Sequence, residues 1–156
     1  TSSWGGDANA NCYTMISGFT GPNRFLSNFY PAEFLYGEWI CKTAEHAYQA
    51  SKARFALDAE EIISARTPGH AKRLARQIVL RPDWLSEREN IMLSILRVKF
   101  TPGSLPANLL LETGEARLVE TNTWGDTFWG VCNGQGKNTL GVLLMQVRDE
   151  IRGTLG

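Results

Sequence analysis

The decapeptide Thr43-Ala44-Glu45-His46-Ala47-Tyr48-Gln49-Ala50-Ser51-Lys52 constrains the fold more than any other stretch of this chain. Thr43 is of the type that caps helix N-termini, and Glu45, Gln49 and Lys52 follow at i, i+4 and i+7, so the segment predicts a helix with a polar stripe. The neighbouring face carries Ala44, Ala47 and Ala50, which are small enough for another element to pack close and bury the helix, polar stripe included. A carboxylate in that position needs partners or a job. Two readings stand on this segment alone, a surface stripe held by a Glu–Lys network and a functional Glu45.

Composition narrows the functional classes. At 156 residues, 43% hydrophobic and 21% charged, the chain fits one domain with a real core. Sixteen Lys plus Arg balance 16 Asp plus Glu, so no global field recruits nucleic acid or membrane, and an anionic ligand has to be held by local groups. No stretch approaches the apolar length of a membrane span, and the N-terminus lacks a basic-then-apolar signal pattern; the expectation is a cytoplasmic protein with no membrane partner and no obligate protein partner. Cys12, Cys41 and Cys132 form no CxxC pair, which favours reduced thiols over a disulfide framework or a zinc ribbon. With only His46 and His70, a multi-histidine metal site is excluded, and acid–base work falls to carboxylates.

Along the chain, residues 1–12 are small, polar and aperiodic and read as a tail, leaving 13–156 as the domain. Tyr13 to Phe19 suits a first strand, Thr20–Asn23 a turn, and Arg24 to Pro31 a partly buried loop. Phe34–Tyr36 and Glu38–Ile40 flank Gly37 as a tight hairpin that delivers the chain to Thr43. Asp58-Ala59-Glu60-Glu61 has capping-box spacing for a short helix through Ile62 and Ile63. Thr67-Pro68 starts another, with Ala71, Leu74, Ala75 and Ile78 on one face and Lys72, Arg73 and Arg76 on the other. That basic face reads as solvated or as a phosphate site, the former being the commoner outcome. Ser86 to Phe100 is the clearest amphipathic helix, with Trp84 packed at its start and Thr101-Pro102-Gly103 as its stop. A short helix over Pro106–Leu111, a strand over Ala116–Glu120 and a last helix from about Asn138 to Arg152 complete a mostly α-helical α+β domain with a few short strands.

The segment Thr123 to Asn138 departs furthest from core composition. It holds three aromatics (Trp124, Phe128, Trp129), the carboxylate Asp126, four glycines and Lys137 before a predicted helix start. Faces to stack a base, backbone amides and a cation are the ingredients of a nucleotide site. Gly134-x-Gly136-Lys137 lacks the spacer and the Ser or Thr of a Walker A motif. A glycine-rich turn with buried tryptophans and a solvated lysine is the competing account.

Four motifs occur in order: Phe25-Leu26-Ser27-Asn28-Phe29, Thr43-Ala44-Glu45-His46-x-Tyr48-Gln49-Ala50-x-Lys52, Asp126-x-Phe128-Trp129-Gly130, and Gly136-Lys137-Asn138-x-Leu140-Gly141-x-Leu143-Leu144-Met145. Together they resemble the YbiA-like, or NADAR, superfamily over about Phe25 to Arg152. The resemblance implies an α-rich single domain that hydrolyses N-glycosidic bonds to ribose. Substrates so implied are ADP-ribose attached to guanine bases and a phosphoribosylamino-pyrimidine intermediate of riboflavin biosynthesis. It places the catalytic carboxylate at Glu45, where the helix macrodipole favours the ionised form. Asp126 is the candidate second carboxylate, as acid or water-positioner, with a structural Asp turn as its alternative.

By the same resemblance Phe128 and Trp129 stack a base, with Trp124 and Phe29 beside them, and Asn28 bonds a ribose hydroxyl or Glu45. Gln49 and Lys52 position Glu45 or bind phosphate. Arg24 and Lys137 are the expected phosphate contacts, with the Gly134 to Gly136 amides beside them, and Asn138 is a further expected substrate contact. His46 lies about 100° around the helix from Glu45 and is read as structural. No metal and no cofactor is called for. A domain that binds ADP-ribose without cleaving it is the competing function of another class.

Overall fold

The computed structural model describes residues 14–155, so the expected tail and the Tyr13 start of the first strand lie outside the described residues. Within them the chain is a mostly helical α+β protein that divides into two compact units, Asn28–Thr101 and the flanking 14–27 with 102–155.

The central unit is built on the predicted hairpin and helix. Strands β2 (Phe34–Tyr36) and β3 (Trp39–Cys41) pair antiparallel, Phe34 against Cys41 and Tyr36 against Trp39. Gly37, at φ 60, supplies the left-handed first position of their two-residue turn. Helix α1 (Ala44–Ser51) follows at once, and all eight of its residues are buried. Helices α2 (Ala56–Ile63), α3 (Pro68–Ala75) and α4 (Trp84–Lys99) pack on it. The seam is alanine-rich: Ala50, Ala59, Ala71 and Ala75 surround the fully buried Ile62. Small side chains let the helix backbones approach, which explains why α1 sinks entirely instead of floating one face in solvent.

In the central unit three helix boundaries differ from the sequence reading. Helix α2 begins at Ala56, so Asp58 sits in its first turn, where it complements the macrodipole, and the cap position is Phe55 without a side-chain cap. Ile78 lies beyond α3, whose N-terminus is nonetheless the predicted one, with Thr67 Oγ1 accepting from His70 N at 3.1 Å. Trp84 is the first residue of α4 rather than its neighbour, and its ring lies 5.1 Å from that of Tyr48.

The flanking unit holds strand β1 (Met15–Ser17), a 3-10 turn over Gly21–Leu26 in place of the loop expected to begin at Arg24, helix α5 (Leu105–Glu112), strands β4 (Arg117–Val119), β5 (Thr121–Asn122) and β6 (Val131–Cys132), and helix α6 (Thr139–Leu155). Strand β1 pairs in parallel with β4, and β5 in parallel with β6. Helix α6 packs on β4 and α5 through Leu140, Leu143, Leu144, Val147 and Ile151. Its buried Arg148 is satisfied in part by Thr113 Oγ1 at 2.9 Å and the Ala116 carbonyl at 2.8 Å, so this cation closes the end of α5 rather than facing a ligand.

Candidate active site

In the central unit the N-terminal turn of α1 concentrates the polar groups. Thr43 caps it: Oγ1 accepts from His46 N at 3.2 Å and lies 2.8 Å from His46 Nδ1. His46 Nε2 is 2.9 Å from the Ala65 carbonyl, which only accepts, so the proton is on Nε2 and the Thr43 hydroxyl donates to Nδ1. Burial lowers the imidazole's proton affinity, the largest influence on it. Both nitrogens are occupied, which fits the structural role expected of His46.

Glu45 is 7% exposed, and its Oε2 accepts from Gln49 Nε2 at 2.5 Å. Its backbone N–H donates to the Asn28 carbonyl at 2.9 Å, tying the Asn28 loop to the start of the helix. Two amide side chains of this unit, one bonded to the carboxylate and one on the loop tied to its backbone, are only half used. Asn28 Nδ2 points to Met92 Sδ at 3.6 Å while Asn28 Oδ1 has no partner, and Gln49 Oε1 is likewise buried without one. Buried polar atoms without partners are rare and costly, about 1–3 kcal/mol each. Gln49 Oε1, on the side chain that bonds the Glu45 carboxylate, and Asn28 Oδ1 each leave room for one donor.

Lys52, at the C-cap of α1, ends the stripe. Its Nζ stands 5.2 Å from the Tyr48 ring and 5.8 Å from the Trp84 ring. Burial lowers its proton affinity, and Glu45 acts in the opposite sense. Phe29, expected to contact substrate, is 45% exposed at the edge of the same unit.

In the flanking unit the 123–138 segment is organised by its own side chains. Asn122 Oδ1 accepts from Asp126 N at 3.0 Å and Asn122 Nδ2 donates to Asp126 O at 2.8 Å. Asp126 Oδ1 in turn accepts from Phe128 N at 3.1 Å and Trp129 N at 2.9 Å, an Asx turn that aims the two aromatics. Their rings meet edge to face at 4.8 Å, and Lys137 Nζ lies 5.6 Å from the Phe128 ring. Trp124 is exposed.

The turn beyond is closed by reciprocal backbone bonds between Cys132 and Gln135, with Asn133 and Gly134 both at positive φ. Gly136, at φ 147, has no room for a Cβ because the Gly130 carbonyl fills the space. Asn138, expected among the substrate contacts, is fully buried. Its Oδ1 accepts from Glu120 N and its Nδ2 donates to Leu118 O, both at 2.9 Å, so this side chain splices β4 to the start of α6. The first α6 amides donate to the Phe128 and Trp129 carbonyls, which occupies donors that a helix N-terminus otherwise offers an anion. Arg24 is exposed in the 3-10 turn.

Two features go beyond the sequence reading. Lys72 and Arg76, read as a solvated face or a phosphate site with the former the commoner outcome, line a cavity of about 300 Å³ together with Gln49, Lys52 and Trp84. Lys99, inside what reads as a plain core helix, is fully buried, and burial pushes its amino group down to about 7. The i, i+4 spacing of Lys72 and Arg76 opposite an alanine seam was the available signal for the first; nothing in the sequence marks the second. Among the described residues no group of three or more His, Cys, Asp or Glu side chains could hold a metal ion, and no helix is long and apolar enough to cross a membrane.

A family model described as the NADAR domain matches residues 17–152. N-glycosidase YbiA of Shigella boydii is 38% identical over 142 residues, covering 81% of this chain and 88% of the relative. A riboflavin biosynthesis protein of Vibrio vulnificus is 37% identical over 131 residues, 82% of this chain but 35% of the relative, so the chain spans about a third of that longer protein. Among solved structures, the NMR structure of Escherichia coli YbiA superposes with a TM-score of 0.82 at 34% identity, covering 90% of this chain and 86% of that one.

Proposed function

The chain belongs to the NADAR domain family, and on that premise we propose that it hydrolyses the N-glycosidic bond between ribose C1 and a nucleobase, with ADP-ribose attached to guanine as its first substrate. The observation that carries this reading is Glu45: a carboxylate buried in the first turn of α1, gripped by Gln49, with unpartnered amide oxygens of Gln49 and Asn28 in the same unit. In the reaction the C1–N bond breaks, the base nitrogen takes up a proton, and water adds to C1. The ionised Glu45 stabilises the oxocarbenium-like transition state and activates that water. Gln49 holds the carboxylate in one rotamer, and Asn28 offers its amide to a ribose hydroxyl.

Phe128 and Trp129, in the flanking unit, present ring faces of the kind that stack on a base. Asp126 is assigned to the turn that aims them, because its Oδ1 is already engaged by two amides. Charge stabilisation at the sugar and a proton for the leaving nitrogen are within the means of protein groups, so turnover is proposed to be metal-independent. Undiminished hydrolysis in chelator is the expected result, and loss of activity there overturns that part.

The Vibrio vulnificus relative, named a riboflavin biosynthesis protein, supports considering the second substrate that the family resemblance implies, the phosphoribosylamino-pyrimidine intermediate. Incubating the protein with both, and scoring free ADP-ribose against free ribose 5-phosphate, decides between them. Release of ADP-ribose is expected; release from the pyrimidine alone gives the second reading, and saturable ADP-ribose binding with no product from either makes the domain a binder.

A further inference from the structure

The 300 Å³ cavity of the central unit has a chemistry of its own. Three cations converge on it from two elements: Lys52 from the end of α1, and Lys72 and Arg76, one helical turn apart, from the end of α3. No Asp or Glu lines it. The bland account of Lys72 and Arg76 is that they complement the α3 macrodipole at its C-terminus. That account needs neither a concavity nor a third cation from another helix, and it leaves the half-buried Lys52 facing two like charges.

Cations gathered around one concavity repel one another, and an entering anion relieves that repulsion. The Lys52 ammonium has its proton affinity lowered, by burial above all; Glu45 opposes that, and Lys72, Arg88 and Arg76 add to it. Its position is fixed from below, over the Tyr48 and Trp84 rings. The fourth polar group on the wall is Gln49, 97% buried with Oε1 unpartnered, and its Nε2 is bonded to Glu45. The cavity is therefore one side chain away from the carboxylate proposed for chemistry. Glu45 and Lys52 are seven positions apart on a continuous helix, about 10 Å along its axis, so a ligand that begins at one can end at the other. The volume is at the small end of ligand cavities, roughly 300–1,000 Å³, enough for the phosphorylated end of a ligand and not for a whole dinucleotide.

We propose that Lys52, Lys72 and Arg76 form the phosphate subsite of this protein, gripping the phosphate or pyrophosphate attached to the 5′ carbon of the ribosyl group whose C1 reacts beside Glu45. The assignment of that phosphate to a substrate rests on the N-glycosidase reading; the anion pocket itself does not. Arg76 and Lys72 give multidentate and point-charge contacts respectively, as a tetrahedral dianion requires, and Ile78 and Leu80 close the rim without competing charge.

The pocket is tested first without turnover. Inorganic phosphate and pyrophosphate are titrated into the full chain, following backbone amide shifts and the Trp84 indole. Saturable, salt-sensitive shifts at residues 49–52, 72–76 and Trp84 are expected in the parent, and their loss in a Lys72→Ala/Arg76→Ala double variant whose thermal midpoint and circular dichroism match the parent. Shifts that are absent, scattered over the surface or retained in the double variant overturn the pocket.

Kinetics then separate the two claims. With ribosyl 5′-phosphate and ADP-ribosyl substrates, KM is expected to rise about tenfold for each single variant, with kcat changed less. A greater effect on the monophosphate identifies a terminal phosphate as the occupant, and a greater effect on the ADP-ribosyl substrate a pyrophosphate. An active enzyme whose KM ignores both substitutions overturns the subsite while leaving the N-glycosidase. Phosphate binding that disappears in the double variant of a protein with no turnover sustains the pocket and overturns the N-glycosidase.

Discussion

Gln49 in α1 and Asn138 at the foot of α6 carry the same functional group at nearly the same burial, 3% and 0% exposed. Asn138 sits at φ 53 with oxygen and nitrogen each bonded to a backbone group. Gln49 spends its nitrogen on Glu45 and leaves its oxygen with no partner. Asn138 is scaffolding: it replaces a missing rung between β4 and the start of α6, and Gly141 is required beside it because a Cβ there would strike both the Asn138 side chain and the Leu118 carbonyl. Gln49 carries an open valence next to a buried charge, at a cost to the fold that only an added donor would offset. Burial alone thus says little about role; the use made of each polar atom says more.

Breaking this contrast starts at the carboxylate. Glu45→Gln retains a group that can bond to Gln49, so the folded state is expected to survive while turnover falls on the order of 10²–10⁴-fold. A rate within a few-fold of the parent removes Glu45 from the chemistry.

Asn138→Ala is expected to cost about 2–4 kcal/mol in urea unfolding, since it strands the Glu120 N–H and the Leu118 carbonyl. A loss below about 1 kcal/mol would show that water or a shifted backbone replaces the amide, and the contrast would weaken.

Gln49→Met is the complementary substitution. It deletes an orphan oxygen, which favours the fold, and the Nε2 donor to the buried Glu45, which disfavours it by a similar amount, and it keeps the volume, so unfolding free energy should stay within about 1 kcal/mol of the parent. The drop belongs to kcat, about tenfold or more, with KM changed less, because Glu45 loses the group that orients it. Destabilisation as large as that of Asn138→Ala sinks the distinction.

His46 sharpens the comparison from the side of a fully satisfied group. Its proton affinity is lowered in the folded state, so the unfolded chain binds more protons at acid pH. The stability it preserves is fully present above the unfolded value of about 6.5 and is lost as pH falls below that towards the folded value, by at most about 1.4 kcal/mol per pH unit. Urea midpoints between pH 7.5 and 5 should show this slope, and His46→Gln should flatten it; an unchanged slope assigns the acid sensitivity elsewhere.

The smallest effect is expected from Asp126→Asn. Asparagine keeps the Oδ1 acceptor for the Phe128 and Trp129 amides, so activity should fall by no more than about tenfold, or 1.4 kcal/mol. A loss matching that of Glu45→Gln would move Asp126 from turn to chemistry.

Much of the central unit was legible because its signals are local. The Gly37 hairpin, the Thr43 and Thr67 caps and the alanine face of α1 depend on residues within one or two turns of each other. The capping-box spacing at Asp58 misled, since Asp in a first turn serves the macrodipole as well as it serves a cap. The parallel pairs β1–β4 and β5–β6 were not legible at all. Two- and three-residue strands carry no period, and β1 and β4 are joined across about a hundred positions. Within the candidate site, the Glu45 stripe could be read from spacing. Asn138 could not, because its bonds reach back 18 and 20 positions.

By itself, the sequence determined that α1 would be a capped helix with Glu45, Gln49 and Lys52 on one side and alanines beside them, since helical geometry converts spacing into a face. It also determined, through balanced charge, that any anion would have to be met by a local cluster. Only the tertiary structure decided which cations form one. Lys72 and Arg76 come to Lys52 because α3 packs on α1 across alanines, and the same close packing buries Gln49 with its oxygen unmatched. Distance in space and the pairing of each polar atom are set by packing, and no local pattern encodes them.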